Sequence, residues 1–187
     1  MFTRTVSRRN LVLGLAMAAP LTVGLLGGFT TAAPAASAPS AGTAESTADD
    51  SVPSTLRVPP GNRLVARLAG QGVQVYQCTA GAWAFLEPVA QLSDKTPAAI
   101  HFRGPSWESI RDGSLVEAAT VASSPVPGAI PQLLLQATKT RGDGVFGNVT
   151  YVQRLDTTGG LAPTTACADG QTRGVPYTSQ YLFYVKD

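Results

Sequence analysis

Charge is scarce in this chain of 187 residues: Asp, Glu, Lys and Arg make up 14% of it, against the roughly 25% usual for globular domains. There is a single His and only two Cys, too few soft ligands for a metal cluster. No stretch after Thr55 carries a 3.6-residue apolar stripe over three turns, so helical bundles and α/β folds are excluded. From Thr55 onward basic residues form no run, which argues against a nucleic-acid partner and against attraction to an anionic membrane surface. The 133 residues from Thr55 to Asp187 suffice for one core, but not for a two-domain cofactor enzyme.

The amino terminus has the grammar of an export signal over residues 1–38. Arg4, Arg8 and Arg9 form a basic start, an apolar stretch runs from Leu11 to Phe29, and small residues such as Ala36-Ser37-Ala38 offer cleavage sites. A membrane anchor is the rival, since such a stretch could just span a bilayer, but Pro20 and the glycines after it argue against stable insertion. Ser7-Arg8-Arg9-Asn10-Leu11-Val12 resembles a twin-arginine signal, so either the general secretory or the twin-arginine route is open. Without Arg4, Arg8 and Arg9 the formal +2 of the whole chain becomes a balance of 11 cations and 12 anions. Residues 39–54 are almost entirely Ala, Ser, Thr, Pro, Gly and acids, a composition expected to form a disordered tether. A β-rich domain is expected over 55–187.

Period-2 alternation recurs through that domain, punctuated by turn residues. Strands are expected over 63–69, 73–78, 83–87, 98–102, 115–121, 130–138, 149–155 and 177–185, with Gly70-Gln71-Gly72 turning the chain between the first two. A short helix from Pro131 is the alternative for 130–138. In the last strand Tyr177, Ser179, Tyr181, Phe183 and Val185 share one face. Eight to nine short strands in a single domain predict an all-β fold, an antiparallel β-sandwich or a small barrel. Cys78 and Cys167, in an exported chain with no third thiol, are expected to form one disulfide.

Candidate chemistry concentrates in three loops. Gly142-Asp143-Gly144-Val145-Phe146-Gly147 is formally G-x-G-x-x-G, but a strand-like run follows it where a dinucleotide site needs a helix, so it reads as a hairpin connection. No nicotinamide chemistry, no cofactor and no metal is expected. The polar segment from His101 to Ser114 holds His101, Arg103, Trp107, Glu108 and Asp112. If Ile100 and Phe102 face the core, His101 and Arg103 point the other way, where the imidazole with Glu108 or Asp112 could perform acid–base chemistry. The structural alternative packs Trp107 inward, has Glu108 hold Arg103 or loop amides, and makes a turn of Asp112-Gly113. Ser106 lies in Gly-Pro-Ser-Trp-Glu, which is no nucleophile elbow. The third loop supplies Arg154, Thr157 and Thr158, whose polar groups could bind a sugar or an anion or satisfy one another.

These residues carry a family resemblance. Pro60-Gly61-Asn62, Gly72-Val73-Gln74-Val75-Tyr76-Gln77-Cys78, His101 to Glu108, Asp112-Gly113-Ser114 and Gly128-Ala129-Ile130-Pro131 follow one another in the family's order. So do Thr150 to Arg154, Thr157-Thr158-Gly159-Gly160 with Pro163, Cys167 and Val175-Pro176-Tyr177. Over residues 56–185 the chain resembles the secreted bacterial and fungal family of domain of unknown function 3455. The resemblance implies export and a single β-rich domain, with no established activity. A malate dehydrogenase label borne by some fungal members does not suit this chain, which lacks a βαβ pattern. Gln132 stands where the family pattern would place Trp after Ile-Pro.

Two functional readings follow. In the first the domain is a secreted non-enzymatic module that binds a small molecule, glycan or cell-surface partner through His101, Arg103, Trp107, Glu108, Arg154, Thr157 and Thr158. In the second it is a small extracellular hydrolase or isomerase using His101 with Glu108 or Asp112.

Overall fold

The computed structural model describes residues 51–187. The export signal expected over residues 1–38, and the tether as far as residue 50, lie outside the described residues. A short 3-10 turn, Ser54–Leu56, precedes eight strands. They are β1 (Asn62–Thr79), β2 (Ala82–Ser93), β3 (Pro97–Phe102), β4 (Ser106–Ser109), β5 (Leu115–Val126), β6 (Ala129–Arg141), β7 (Val149–Gly159) and β8 (Thr172–Lys186). Each pairs antiparallel with its neighbour in the chain, and β8 pairs with β1. The sheet therefore closes, and of the two expected architectures the barrel is the one that forms. The segment 130–138 is strand, not helix. Among the described residues no helix is long and apolar enough to cross a membrane.

Alternation divides every strand between an inner and an outer face. Tyr177, Ser179, Tyr181, Phe183 and Val185 of β8 are all buried, as the sequence pattern requires. Around them Leu68, Leu92, Trp107, Val116, Leu135 and Val152 form one interior cluster. A second, smaller cluster lies against the outer face: Leu134, Leu155 and Leu182, residues of opposite parity, pack with the fully buried Leu56. Val52 and Val58 join it, so the segment leading into β1 lies along the outside of the wall. The Gln153 amide donates to the Leu56 carbonyl at 2.6 Å and holds that segment in place.

Two local expectations fail for physical reasons. Gly70-Gln71-Gly72 is not a turn, because β1 runs through it and pairs on both sides, with Gly70 opposite Leu92 and Ser179. The glycines serve close approach: a Cβ on Gly70 would stand 2.7 Å from the Tyr181 ring, and one on Gly72 would stand 2.1 Å from the Val89 carbonyl oxygen. The facing of β3 is also the reverse of that expected. Ile100 is 44% exposed, whereas His101 is 3% exposed. Inside the wall, aromatic rings from β4 and β8 take the volume, leaving room on β3 for Ala99 and an imidazole.

The disulfide expected between Cys78 and Cys167 is present, with Cα atoms 5.9 Å apart. It ties the end of β1 to the long β7–β8 connection, residues 160–171. That connection is held further by Cys78 N–H donating to Gln171 O, Gly170 N–H to Cys78 O, and the Trp83 indole N–H to Thr165 O.

Candidate functional site

The polar segment around His101 is built as a narrow hairpin, β3 turning into the four-residue β4. Cross-strand partners in an antiparallel pair share a face. His101 and Trp107 are such partners and both point inward, whereas Ile100 and Glu108 are partners on the outer face. Trp107 is therefore buried, as the structural alternative expected. Glu108 instead accepts from Arg141 at 2.6 Å, and Arg103 donates to Glu87 at 3.2 Å.

His101 and the two carboxylates are thus not assembled. The imidazole Nδ1 lies 2.8 Å from the Ser106 carbonyl oxygen, an acceptor, so Nδ1 carries the proton. Burial pushes the imidazole pKa down to about 3, with Arg154 lowering it further against the Ser106 contact, so the ring is neutral. Asp112 caps the β4–β5 turn, accepting from the Ser114 hydroxyl at 2.6 Å, from Ser114 N–H at 2.9 Å and from Val145 N–H at 3.1 Å. Those bonds, led by the Ser114 hydroxyl, hold its carboxyl at about 2. Neither Glu108 nor Asp112 hydrogen-bonds to His101.

The third loop divides in the same way. Thr157 donates to the Ile130 carbonyl at 2.6 Å, and the Thr158 and Thr178 hydroxyls meet at 2.7 Å, so both threonines are satisfied within the barrel wall. Arg154 is different. It sits on β7 between Leu133 of β6 and Tyr181 of β8, both interior residues.

Arg154, Trp107 and Arg103 line a cavity of about 450 Å³ inside the barrel. An eight-stranded barrel is just wide enough for its side chains to fill it or to leave space for one small ligand. Here the space is left at the end where the β1–β2, β3–β4, β5–β6 and β7–β8 connections lie. Phe85, Leu86, Ile130 and Leu133 supply apolar wall. A bulge between β1 and β2 sets Val75 opposite Glu87 but Tyr76 opposite Phe85, leaving Leu86 as the extra residue. Tyr76 packs edge-on against Phe85 and donates its hydroxyl to the Gly160 carbonyl at 2.6 Å, so the disulfide-bonded connection is anchored to the cavity wall.

The charged side chains that line the cavity, Arg103 and Arg154, are both cations. Arg154 donates from Nε and from one terminal nitrogen to the Pro131 carbonyl, at 3.2 and 2.8 Å. No carboxylate pairs with it among the described residues, and no acidic side chain lines the cavity. Its charge is felt throughout: it lowers the pKa values of Tyr76, Tyr177 and Tyr181, all of which burial raises more strongly. Gln74 and Trp107, both cavity residues, each keep a buried N–H without a hydrogen-bond partner. The Gln74 amide is near enough to Tyr177 to lower its pKa slightly, but outside hydrogen-bond geometry. Burying such a donor unsatisfied costs roughly 1–3 kcal/mol. Sequence reasoning named Trp107, Arg103 and Arg154 and missed Gln74, Tyr76, Phe85 and Leu133. The signal for the first two was the shared parity of Gln74, Tyr76 and Cys78, all buried along β1.

Among the described residues no group of three or more His, Cys, Asp or Glu could hold a metal ion. The family model described as "Protein of unknown function (DUF3455)" matches residues 96–185, from the start of β3 to the end of β8. No curated protein matches the chain, and no solved structure does.

Proposed function

We propose that this chain, which through residues 96–185 belongs to the DUF3455 family, is an exported binding module whose barrel cavity holds one small organic molecule. The observation that carries the reading is the cavity itself. A space of about 450 Å³ with a largely apolar wall and a few polar side chains is the usual make-up of a small-molecule site. Binding, not turnover, is the activity assigned to it, because the neutral His101 is spent on the Ser106 carbonyl and on ring contacts. Export is supported by the arginine-led apolar start of the sequence and by a disulfide, which persists in oxidising compartments.

The test is titration of the purified protein with Nile red, a neutral dye that brightens in apolar surroundings, alongside a Leu133→Trp variant. Leu133 lines the cavity and is only partly buried, so the larger ring can extend into the space. Saturable binding that the variant loses while keeping its melting transition is expected. Equal binding by a folded Leu133→Trp protein would place the dye elsewhere and refute the reading.

A further inference from the structure

Arg154 is a half-buried cation within a closed barrel, and its situation differs from that of the ion-paired cations among the described residues. Arg103, Arg111, Lys139 and Arg141 each meet a carboxylate at the surface. Among the described residues Arg154 donates to the Pro131 carbonyl and lies beside the Tyr181 hydroxyl, with no carboxylate partner. A guanidinium carries five N–H donors in a flat fork, and two of them serve Pro131. Taking such a charge out of water is unfavourable unless an anion or several acceptors answer it. Two more donors in the same wall, on Gln74 and Trp107, are unanswered. Nothing acidic lines the space, so its polar side lacks negative charge.

We infer that the occupant of the cavity is an organic monoanion, an apolar body ending in a carboxylate, with the carboxylate at Arg154 and the body against Phe85, Leu86 and Ile130. The inference rests on the proposed role of the cavity as a ligand site. Charge count favours one negative charge over two, since Arg103 is already neutralised by Glu87. Shape favours a carboxylate, whose two oxygens match the guanidinium fork. The apolar residues beside Arg154 make the pairing stronger than it would be in open water.

Three probes with one body and different heads test this: decanoate, decanol and decylammonium, each displacing Nile red from the protein. Decanoate is expected to bind at least about tenfold more tightly than decanol, the step a charged hydrogen-bonded pair gives, and decylammonium more weakly than either. Arg154→Gln is expected to bring decanoate level with decanol, and Arg154→Lys, which keeps the charge without the fork, to retain part of the preference. Should Arg154→Gln fail to fold, the wild-type ranking and Arg154→Lys still decide. Decanol binding as tightly as decanoate to the wild-type protein would overturn the inference and leave the cavity as a ligand site. Failure of all three to displace the dye would overturn the inference alone, since the cavity reading is decided by the Leu133→Trp titration.

Discussion

The imidazole of His101 lies flat on the indole of Trp107, ring centroids 4.4 Å apart and planes 3° from parallel. The pair is the product of β3–β4 register, and Tyr181 closes it edge-on at 5.2 Å from the imidazole. This neighbourhood makes protonation of His101 unfavourable in the fold, with burial as the main cause and the charge of Arg154 adding to it. The folded pKa is about 3 and the ordinary value 6.5, so between them the unfolded chain binds a proton that the folded chain does not. Stability is fully present above 6.5 and declines as pH falls through that window, by at most about 1.4 kcal/mol per pH unit. Asp112 adds its own loss only below its ordinary 3.8. Urea unfolding at a series of pH values should show the slope, and His101→Phe should flatten it above the carboxylate range.

Trp107 is the largest fully buried side chain in the fold, touching His101, Tyr181 and Phe183. Its truncation leaves a cavity that three rings cannot collapse into without moving their strands. Trp107→Ala is expected to lower unfolding free energy by about 3–5 kcal/mol, measured by urea denaturation.

Leu56 stands outside the barrel and is nonetheless fully buried, against Leu134, Leu155 and Leu182. It anchors the segment that precedes β1. Leu56→Ala should cost about 2–5 kcal/mol, as an interior leucine does, whereas a detached leader would give almost nothing. The thermal melt of the variant distinguishes these outcomes.

The Cys78–Cys167 bond joins residues 89 positions apart and pins the 160–171 connection beside the cavity. Replacing both cysteines with Ala should lower stability by about 2–5 kcal/mol through freedom regained by the unfolded chain. The same variant should raise amide exchange in 160–171 ahead of the strands, because hydrogen bonds from Tyr76, Trp83, Gly81 and the Cys78 backbone then hold that connection without a covalent tie.

Much of the barrel was legible as alternation. Tyr177, Tyr181 and Phe183 declare one face of β8 because each inward residue is large and each neighbour differs from it in size or polarity. Gly70 and Gly72 misled, since two glycines flanking a polar residue mimic a turn when the reason for them is a ring and a carbonyl contributed by distant strands. Ile100 misled likewise: hydrophobicity alone assigned it inward, and the interior volume claimed by Trp107 reversed the face. Arg154 and Trp107 could be named from sequence, but not brought together, because the register that sets Arg154 beside Tyr181 is a long-range fact. An unfilled interior is harder still to foresee, since it depends on the sum of all inward volumes. Glu108, Asp112 and Thr158 attracted attention as polar residues in short loops, and each proves to be bonded within the wall or its turns.

The central claim is that the space beside Trp107 admits a small organic molecule. Its most direct measurement is the emission of Trp107 in a Trp83→Phe variant, which leaves one indole as reporter, titrated with decanoate and decanol. A saturable change in intensity or wavelength, abolished by prior filling of the cavity with Leu133→Phe, is the result expected. Emission from the folded variant that stays constant through both titrations would contradict the claim.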